Sequence, residues 1–272
     1  SIMKKNIVDV IIPVFNAEGS IANCINSVLN QDLLNSVILI NDGSVDSTKS
    51  ILIEYQRKYK QIKLINLERN GGLVNALNIG IENSSAPFIA RLDADDSMMP
   101  NRLEKQYKFL IKNDLDLIGG QIIGEQSGKL YKIYSGKTKN ISKMDLFFSS
   151  SLFHPTWFGK SQVFNIKYQT MMPVEDIDFL YRAVQNGFRL RNIVEPVTIW
   201  NETDESKITN ANKYNHVCLV YIVRLNYIFF NKVKLTNSKL LGIKQYLNKN
   251  KYLYLPFKLI DYIRISILKI FF

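Results

Sequence analysis

The sequence predicts an α/β fold, with a mostly parallel central sheet, flanking helices and a helical, basic C-terminal segment. Three observations carry that expectation. Short apolar, β-branched runs alternate with stretches of helical spacing four times, at intervals of about 25–30 residues, which is the rhythm of right-handed crossovers onto a parallel sheet. Each run ends in a polar loop rich in Asn, Asp or Gly. A chain of 272 residues with 46% hydrophobic and 22% charged composition can bury a full core, which excludes disorder.

Residues 7–15, Ile-Val-Asp-Val-Ile-Ile-Pro-Val-Phe, read as a strand buried on both faces at the middle of the sheet. Asn16 to Gly19 break it, and Ile21, Cys24, Ile25, Val28 and Leu29 then mark a helix over 20–30 with Ser20 as N-cap. The second strand covers 36–40 and its helix 47–59, with Asp46 placed to cap it. The third strand covers 62–67 and its helix 73–83; the fourth strand is 88–92. Beyond Pro100 the pattern gives a helix over 101–112 and a strand over 116–123, then polar turns and short strands to about residue 145. A helix over 174–186 and a strand over 188–193 close the pattern, which contains no internal repeat or low-complexity linker.

Net charge is +11, but it is unevenly distributed. From Lys213 onward there are eleven Lys or Arg and a single acid, Asp261, a net +10 that leaves about +1 for residues 1–212. Basic character therefore belongs to the tail, and a general nucleic-acid-binding surface is not expected. Cys24 and Cys218 are too few and too far apart for a disulfide framework or a metal cluster, and read as reduced, buried thiols of a cytoplasmic protein. Ser1-Ile2-Met3 reads as an addition ahead of a natural start, and the short apolar run after Lys4-Lys5, containing Asp9, is too weak for a signal peptide.

In open α/β sheets, ligands bind beyond the carboxyl ends of the strands. The loops there are 15–18, 41–44, 70–72 and 93–96, and all four converge on one crevice. Asp93, Asp95 and Asp96 place three acids within four residues at a strand end, where like charges are costly unless a cation neutralises them. Hard carboxylate oxygens suit Mg2+ or Mn2+ with substrate phosphates completing the shell. A solvated acidic turn ahead of the next helix is the alternative for a lone Asp-x-Asp.

Four strings set that cluster in context: Val10-Ile-Ile-Pro-Val-Phe-Asn-Ala-Glu18, Asn41-Asp-Gly-Ser-Val-Asp-Ser-Thr48, Asn70-Gly71 with Ala76 and Asn78-Ile-Gly80, and Ala90-Arg-Leu-Asp-Ala-Asp-Asp96 with Pro100 and Arg102-Leu103. In order and spacing they resemble glycosyltransferase family 2, over residues 7 to about 200. The resemblance implies a GT-A fold, a nucleotide-sugar donor and inversion at the anomeric carbon. It implies a catalytic domain over 1–210, with a donor half to about residue 100 and an acceptor half after it. The donor site it implies comprises Pro13, Phe15, Glu18, Asp42, Asn70, Arg91, Asp93, Ala94 and Asp95. Phe15 would stack on the base where the family often has Tyr, Asp42 would accept from uracil, and Asp93 would meet the ribose. Asp95, with Asp93 as a second candidate, would hold the metal on the diphosphate. For Arg91 an ion pair at the sheet end stands beside the ligand reading, and Asp96 receives no role.

Inversion by direct displacement needs a base on the acceptor side. Pro173-Val-Glu-Asp-Ile-Asp-Phe-Leu-Tyr-Arg182 resembles the family's Glu-Asp motif, which implies Asp176 as the base with Glu175 in reserve, and implies Glu175 and Arg182 in the acceptor or sugar pocket. Acids that merely complement a helix N-terminus are the alternative. His154-Pro-Thr-Trp157 resembles a segment lining the sugar and acceptor pocket in polysaccharide-forming members. For Trp157, stacking on a sugar and packing in the core both stand. Ile199-Trp-Asn-Glu-Thr203 lacks a His that relatives often show, so a third metal ligand from Asn201 or Asp204 is open.

The tail from 211 to 272 has a basic, amphipathic pattern, with Ile260, Ile263, Ile267 and Ile270 on one side and no uncharged stretch long enough to span a bilayer. It suits an anionic membrane surface at the inner face of the cell membrane, or packing on the catalytic domain. The expected activity is transfer of a hexose or N-acetylhexosamine, with UDP-galactose or UDP-glucose favoured. The acceptor would be a glycan or a polyprenyl-diphosphate-linked one, in O-antigen, capsule or lipooligosaccharide synthesis. The rivals are a sugar nucleotidyltransferase, for which the glycine-rich, basic phosphate loop is missing after strand one, and a non-catalytic membrane-surface binder.

Overall fold

A computed structural model describes residues 6–126, 129–134, 136, 138–148, 152–169 and 174–201, and the single positions 220 and 224. Its elements run β1 (Val8–Val14), α1 (Ile21–Leu29), β2 (Leu34–Asn41), α2 (Thr48–Lys58), β3 (Ile62–Asn66), α3 (Leu73–Glu82), β4 (Phe88–Arg91) and β5 (Ser97–Met98) through the first part of the chain. The second part adds α4 (Arg102–Lys112), β6 (Leu117–Gln126), β7 (Lys129–Tyr134), α5 (Lys143–Phe148), a 3-10 turn at His154–Thr156, β8 (Phe158–Lys160), α6 (Ser161–Phe164), α7 (Glu175–Gln185) and β9 (Leu190–Asn201).

All these strands join one sheet in the order β3-β2-β1-β4-β8-β6-β9-β5, with β7 also paired to β6. β1 to β4 pair in parallel, and the pairings of β6 and β9 give them the same direction; β5, β7 and β8 run against it. The sheet is thus mostly parallel, as expected, with short antiparallel insertions in its second half.

Alternation along β1 divides the core into two layers. Val8, Val10, Ile12 and Val14 point to one face, where they meet Ile21, Cys24, Ile25 and Val28 of α1 and Leu103 and Leu110 of α4. Ile11 points to the other, against Ile38 and Ile40 of β2 and Ala76, Leu77 and Ile81 of α3. Each fully buried Val or Ile here contributes roughly 1.5–3 kcal/mol. Gly80 permits the close approach of α3 to β1, since a Cβ at that position lies 2.5 Å from Ile11 Cγ2.

Asp9 shares the Ile11 face and is fully buried within β1. It accepts from Asn35 Nδ2 (2.8 Å), Ser36 Oγ (2.6 Å), Ser84 Oγ (2.9 Å), Ser85 N (2.8 Å) and Ala86 N (3.0 Å). Burial opposes its charge, but the hydrogen bonds from Ser36, Asn35, Ser85 and Ala86 outweigh it and hold the carboxyl below its usual range. One ionised carboxylate thereby ties the entry of β2 and the turn before β4 to the central strand.

Several local expectations change. β2 begins two residues early at Leu34 and β9 runs eight residues past Ile193, because Pro196 falls at a register shift against Gln121 rather than ending the strand. β5, β8, α5 and α6 are additional and short. Ser20 makes no side-chain cap on α1; its hydroxyl donates to Ala94 O at 3.0 Å instead. Asp46 does bond the start of α2, accepting from Thr48 N at 3.0 Å. Cys24 is buried as expected, while Cys218 lies outside the described residues. So does the tail, apart from buried Arg224 and Val220, which joins the core layer beneath α3 and α7. Among the described residues, no helix is long and apolar enough to cross a membrane.

Candidate active site

The loops after β1 and β2 are laced together by their own polar groups. Asn16 N donates to Ser44 Oγ (3.0 Å), and Asn16 Oδ1 accepts from Val45 N (3.0 Å). Glu18 accepts from Ser47 N (2.8 Å), while its own N–H donates to Asp46 Oδ2 (3.2 Å). Gly43 adopts φ +70°, and a Cβ there lies 2.6 Å from the Arg69 carbonyl carbon, so only glycine lets these loops approach the third one. Asp42, nearly inaccessible, accepts from Gly71 N (2.7 Å) and Gly72 N (2.8 Å), one oxygen each. It therefore organises the start of α3, with lone pairs remaining for a further donor.

The donor-site residues separate by exposure. Phe15, directly after β1, is a large apolar ring left 47% exposed. Asn70 is exposed and bonds Gly72 N through its own Oδ1 (3.0 Å). Pro13 is buried inside β1 in register with Ile40, so its ring belongs to the core and is not a ligand surface. Glu18 braces the loop pair. Arg91 is buried and paired with Asp93, Nη1 to Oδ2 at 3.1 Å and Nη2 to Oδ1 at 2.5 Å, which is the sheet-end ion pair.

The acidic loop after β4 is anchored from behind. Ser20 holds Ala94 O, and the Cys24 thiol donates to Asp93 O (3.3 Å). Burial, then the charges of Asp96, Asp95 and Asp93, push that thiol well up, so it stays protonated and serves as a donor. Carboxylate oxygens of Asp93, Asp95 and Asp96 all lie within 4.8 Å of one another. Arg91 pairs directly with Asp93 only. Burial raises the Asp95 and Asp96 carboxyls, with Asp93 adding to both and Asp95 to Asp96. Asp96 Oδ1 accepts from Asn201 N (3.3 Å), at the end of β9, and its Oδ2 is buried with no partner among the described residues. Clustered hard oxygens, unbalanced charge and an orphaned buried oxygen fit a divalent cation such as Mg2+ or Mn2+. Asp204 lies outside the described residues.

Arg102 forms the floor under this loop. Fully buried, it donates to Gln106 Oε1 (2.9 Å), Thr198 Oγ1 (3.0 Å) and Arg91 O (3.0 Å), joining α4, β9 and β4. Burial lowers its guanidinium to about 9, partly countered by Asp96.

The first turn of α7 carries Glu175 and Asp176. Asp176 is half-buried, and its Oδ1 accepts from Ile177 N (2.7 Å). Glu175 is buried, and burial, then the charge of Asp176, raise its carboxyl above the usual range; Arg91 and Asp93 also act on it. The acidic loop and the start of α7 therefore share one electrostatic environment. Arg182 is directed elsewhere: it binds Asp178 (2.7 and 2.9 Å) and Ile166 O (2.8 Å), a brace within the second part of the chain and not part of the pocket wall.

Trp157 is also corrected. It is fully buried, its indole N–H donates to Leu152 O (3.4 Å), and its ring packs against His154, Tyr168 and Phe179. No face remains for a sugar. His154 Nε2 is 2.7 Å from Tyr168 Oη, and its Nδ1 faces Glu175 Oε1 at 3.9 Å. Burial, then the Arg91 charge, keep the imidazole neutral. Tyr168 has no motif around it and was not anticipated; only its place in the fold reveals it.

The sequence matches the profile of Glycosyl transferase family 2 over residues 9–175. An uncharacterized glycosyltransferase of Methanocaldococcus jannaschii is 31% identical over 204 residues, covering 71% of this chain and 70% of that protein. A putative teichuronic acid biosynthesis glycosyltransferase of Bacillus subtilis is 35% identical over 109 residues, 40% of this chain and 43% of the relative. The chain spans 34% of an uncharacterized Haemophilus influenzae glycosyltransferase that it matches at 44% identity. Among solved structures, S. aureus TarS in complex with UDP-GlcNAc superimposes with a TM-score of 0.63 at 20% identity, covering 86% of this chain and 69% of that one. The matched residues include all four loops after β1 to β4. This chain belongs to glycosyltransferase family 2 and has the GT-A fold.

Proposed function

We propose that the protein transfers a hexose or N-acetylhexosamine, with inversion, from a UDP-sugar to a glycan or lipid-linked acceptor in bacterial surface-polysaccharide synthesis, with Mn2+ or Mg2+ bound. The observation that carries this reading is the Asp93–Asp95–Asp96 cluster after β4, together with a Glu175–Asp176 pair at the start of α7 near enough for the charges of Arg91 and Asp93 to act on Glu175. TarS, whose solved complexes contain UDP and UDP-GlcNAc, supports a nucleotide-sugar donor, and the Bacillus subtilis relative supports a cell-surface polymer.

In this reading Phe15 covers the base and Asp42 accepts from it while holding the start of α3. Asp95, with Asp93 or Asp96, holds the cation, which when bound supplies Lewis-acid stabilisation of the departing diphosphate. Arg91 fixes Asp93, the ribose contact. Asp176 takes the proton of the acceptor hydroxyl as its oxygen bonds to the anomeric carbon and the carbon–oxygen bond to UDP breaks. The basic tail from 211 brings the enzyme to an anionic membrane surface, where a polyprenyl-diphosphate-linked acceptor resides.

A panel of nucleotide sugars, assayed for donor hydrolysis and thermal stabilisation with and without Mn2+, tests this directly. Stabilisation by UDP-sugars that requires Mn2+ is expected; full turnover in EDTA contradicts the metal assignment.

A further inference from the structure

Glu175 holds one feature that neither a base nor a metal ligand accounts for. Its Oε2 is buried and has no partner among the described residues, although the side chain is only 7% exposed. An unmade hydrogen bond in such a place costs about 1–3 kcal/mol, so a partner is expected when the site is filled. The group also sits against a fixed ring, in contact but beyond hydrogen-bond length. His154 Nδ1 faces its other oxygen at 3.9 Å, and the far nitrogen of the same ring is fixed by Tyr168 Oη at 2.7 Å. Tyr168 is itself clamped at its backbone, where its N–H donates to Asn78 Oδ1 (2.9 Å) and its carbonyl accepts from Asn78 Nδ2 (2.9 Å). Trp157 and Phe179 close the aromatic box, with ring centroids 4.5 Å from His154 and 4.8 Å from Tyr168, respectively.

We infer that Tyr168 and His154 are positioning residues that orient Glu175, and that the free oxygen of Glu175 binds a hydroxyl of the donor sugar. This rests on the UDP-sugar reading above. The groups acting on Glu175 are Asp176 beside it on α7 and Arg91 and Asp93 at the end of β4. A sugar bound between a cation at Asp95 and a base at Asp176 lies beside Glu175. Chemistry agrees as well: among two acids and a neutral imidazole, a carboxyl that keeps its proton both donates to and accepts from a hydroxyl. Tyr168 belongs to the other core layer and is almost inaccessible, so its role is exerted through His154 and not by contact with the sugar.

The test uses the full chain with Mn2+, with UDP-glucose, UDP-galactose and UDP-N-acetylglucosamine as donors, followed by 3-, 4- and 6-deoxy forms of the one turned over fastest. Binding of UDP alone is measured in parallel. Tyr168→Phe and Glu175→Ala are expected to leave UDP affinity within about twofold and to raise the donor KM about tenfold, the loss of one well-placed hydrogen bond. The double variant should lose no more than Glu175→Ala. One deoxy donor should be poorer for the wild type yet no poorer for Glu175→Ala, and Glu175→Gln, which retains a donor and an acceptor, should recover most of the KM. Unchanged KM in Tyr168→Phe, or a UDP affinity that falls in step with it, overturns the positioning role. Wild-type protein that binds UDP while every deoxy donor loses equally in all variants overturns the sugar contact alone. Wild-type protein that neither binds UDP nor turns over any donor overturns the UDP-sugar reading with it.

Discussion

The first and second halves of the sheet carry their candidate site residues by different means. In the first half each candidate group follows directly from a strand end: Phe15 after β1, Asp42 after β2, Asn70 after β3, Asp93 to Asp96 after β4. Backbone path and chemistry are encoded together over a few residues, and the loops hold one another through Asn16, Asp42 and Asp46. The second half assembles its groups from separate places. His154 comes from a 3-10 turn, Tyr168 from the segment after α6, Glu175 and Asp176 from α7, and the aromatic box around Trp157 brings them together. A site built from strand-end loops is robust to changes elsewhere in the sheet, whereas one assembled by core packing depends on each member of the box.

Substitutions can sharpen that contrast. The largest effects are expected at the two chemical poles. Asp176→Asn should lower sugar transfer about 10²–10⁴-fold while preserving UDP binding, measured by product formation and calorimetry. An active variant moves the base elsewhere. Trp157→Ala should destabilise the protein by about 3–5 kcal/mol, seen as a lower denaturation midpoint, because the ring is fully buried among aromatics. Phe15→Ala, at an exposed position, should change stability by less than about 0.5 kcal/mol and weaken UDP binding. Similar stability losses at both positions break the distinction drawn between the halves.

Asp9 sets a smaller, pH-dependent effect within the first half. Its folded carboxyl is held below the ordinary 3.8, so the stability it contributes is fully present above that value and lost as pH falls through the folded value. Asp9→Asn should cost about 1–3 kcal/mol at neutral pH, and less in acid, by denaturant unfolding. The smallest effect on chemistry is expected in the tail. Removing the chain after Leu247 should reduce binding to anionic liposomes without lowering transfer to a soluble acceptor.

What the sequence made legible follows the same division. Continuous apolar runs and helical spacing located the first four strands and their helices to within a few residues, because β1, β2 and β4 are buried on both faces and all four strand ends carry distinctive loops. The short antiparallel strands were not legible. β5 and β8 have two and three residues, too few for any periodicity, and exist because neighbouring strands offer pairing partners. The extension of β9 beyond residue 193 was not legible either, since it depends on a register shift that accommodates Pro196 inside the strand. For Trp157, residue type allowed both sugar stacking and core packing, and only burial decides between them. Tyr168 carried no signal at all, being brought to His154 by the packing of the segment after α6 on α3. Asp96 received no role from sequence, yet its buried, unpaired oxygen and its bond to Asn201 N join the acidic loop to β9.

The most direct measurement is UDP-sugar binding and turnover by the wild type and Asp95→Asn, each with Mn2+ and with EDTA. Wild-type turnover should require Mn2+ and fall at least about a hundredfold in Asp95→Asn, with the Mn2+-dependent part of UDP binding lost. Equal turnover by the two proteins, or by the wild type in EDTA, contradicts the assignment of the Asp93–Asp96 loop as a metal-dependent donor site.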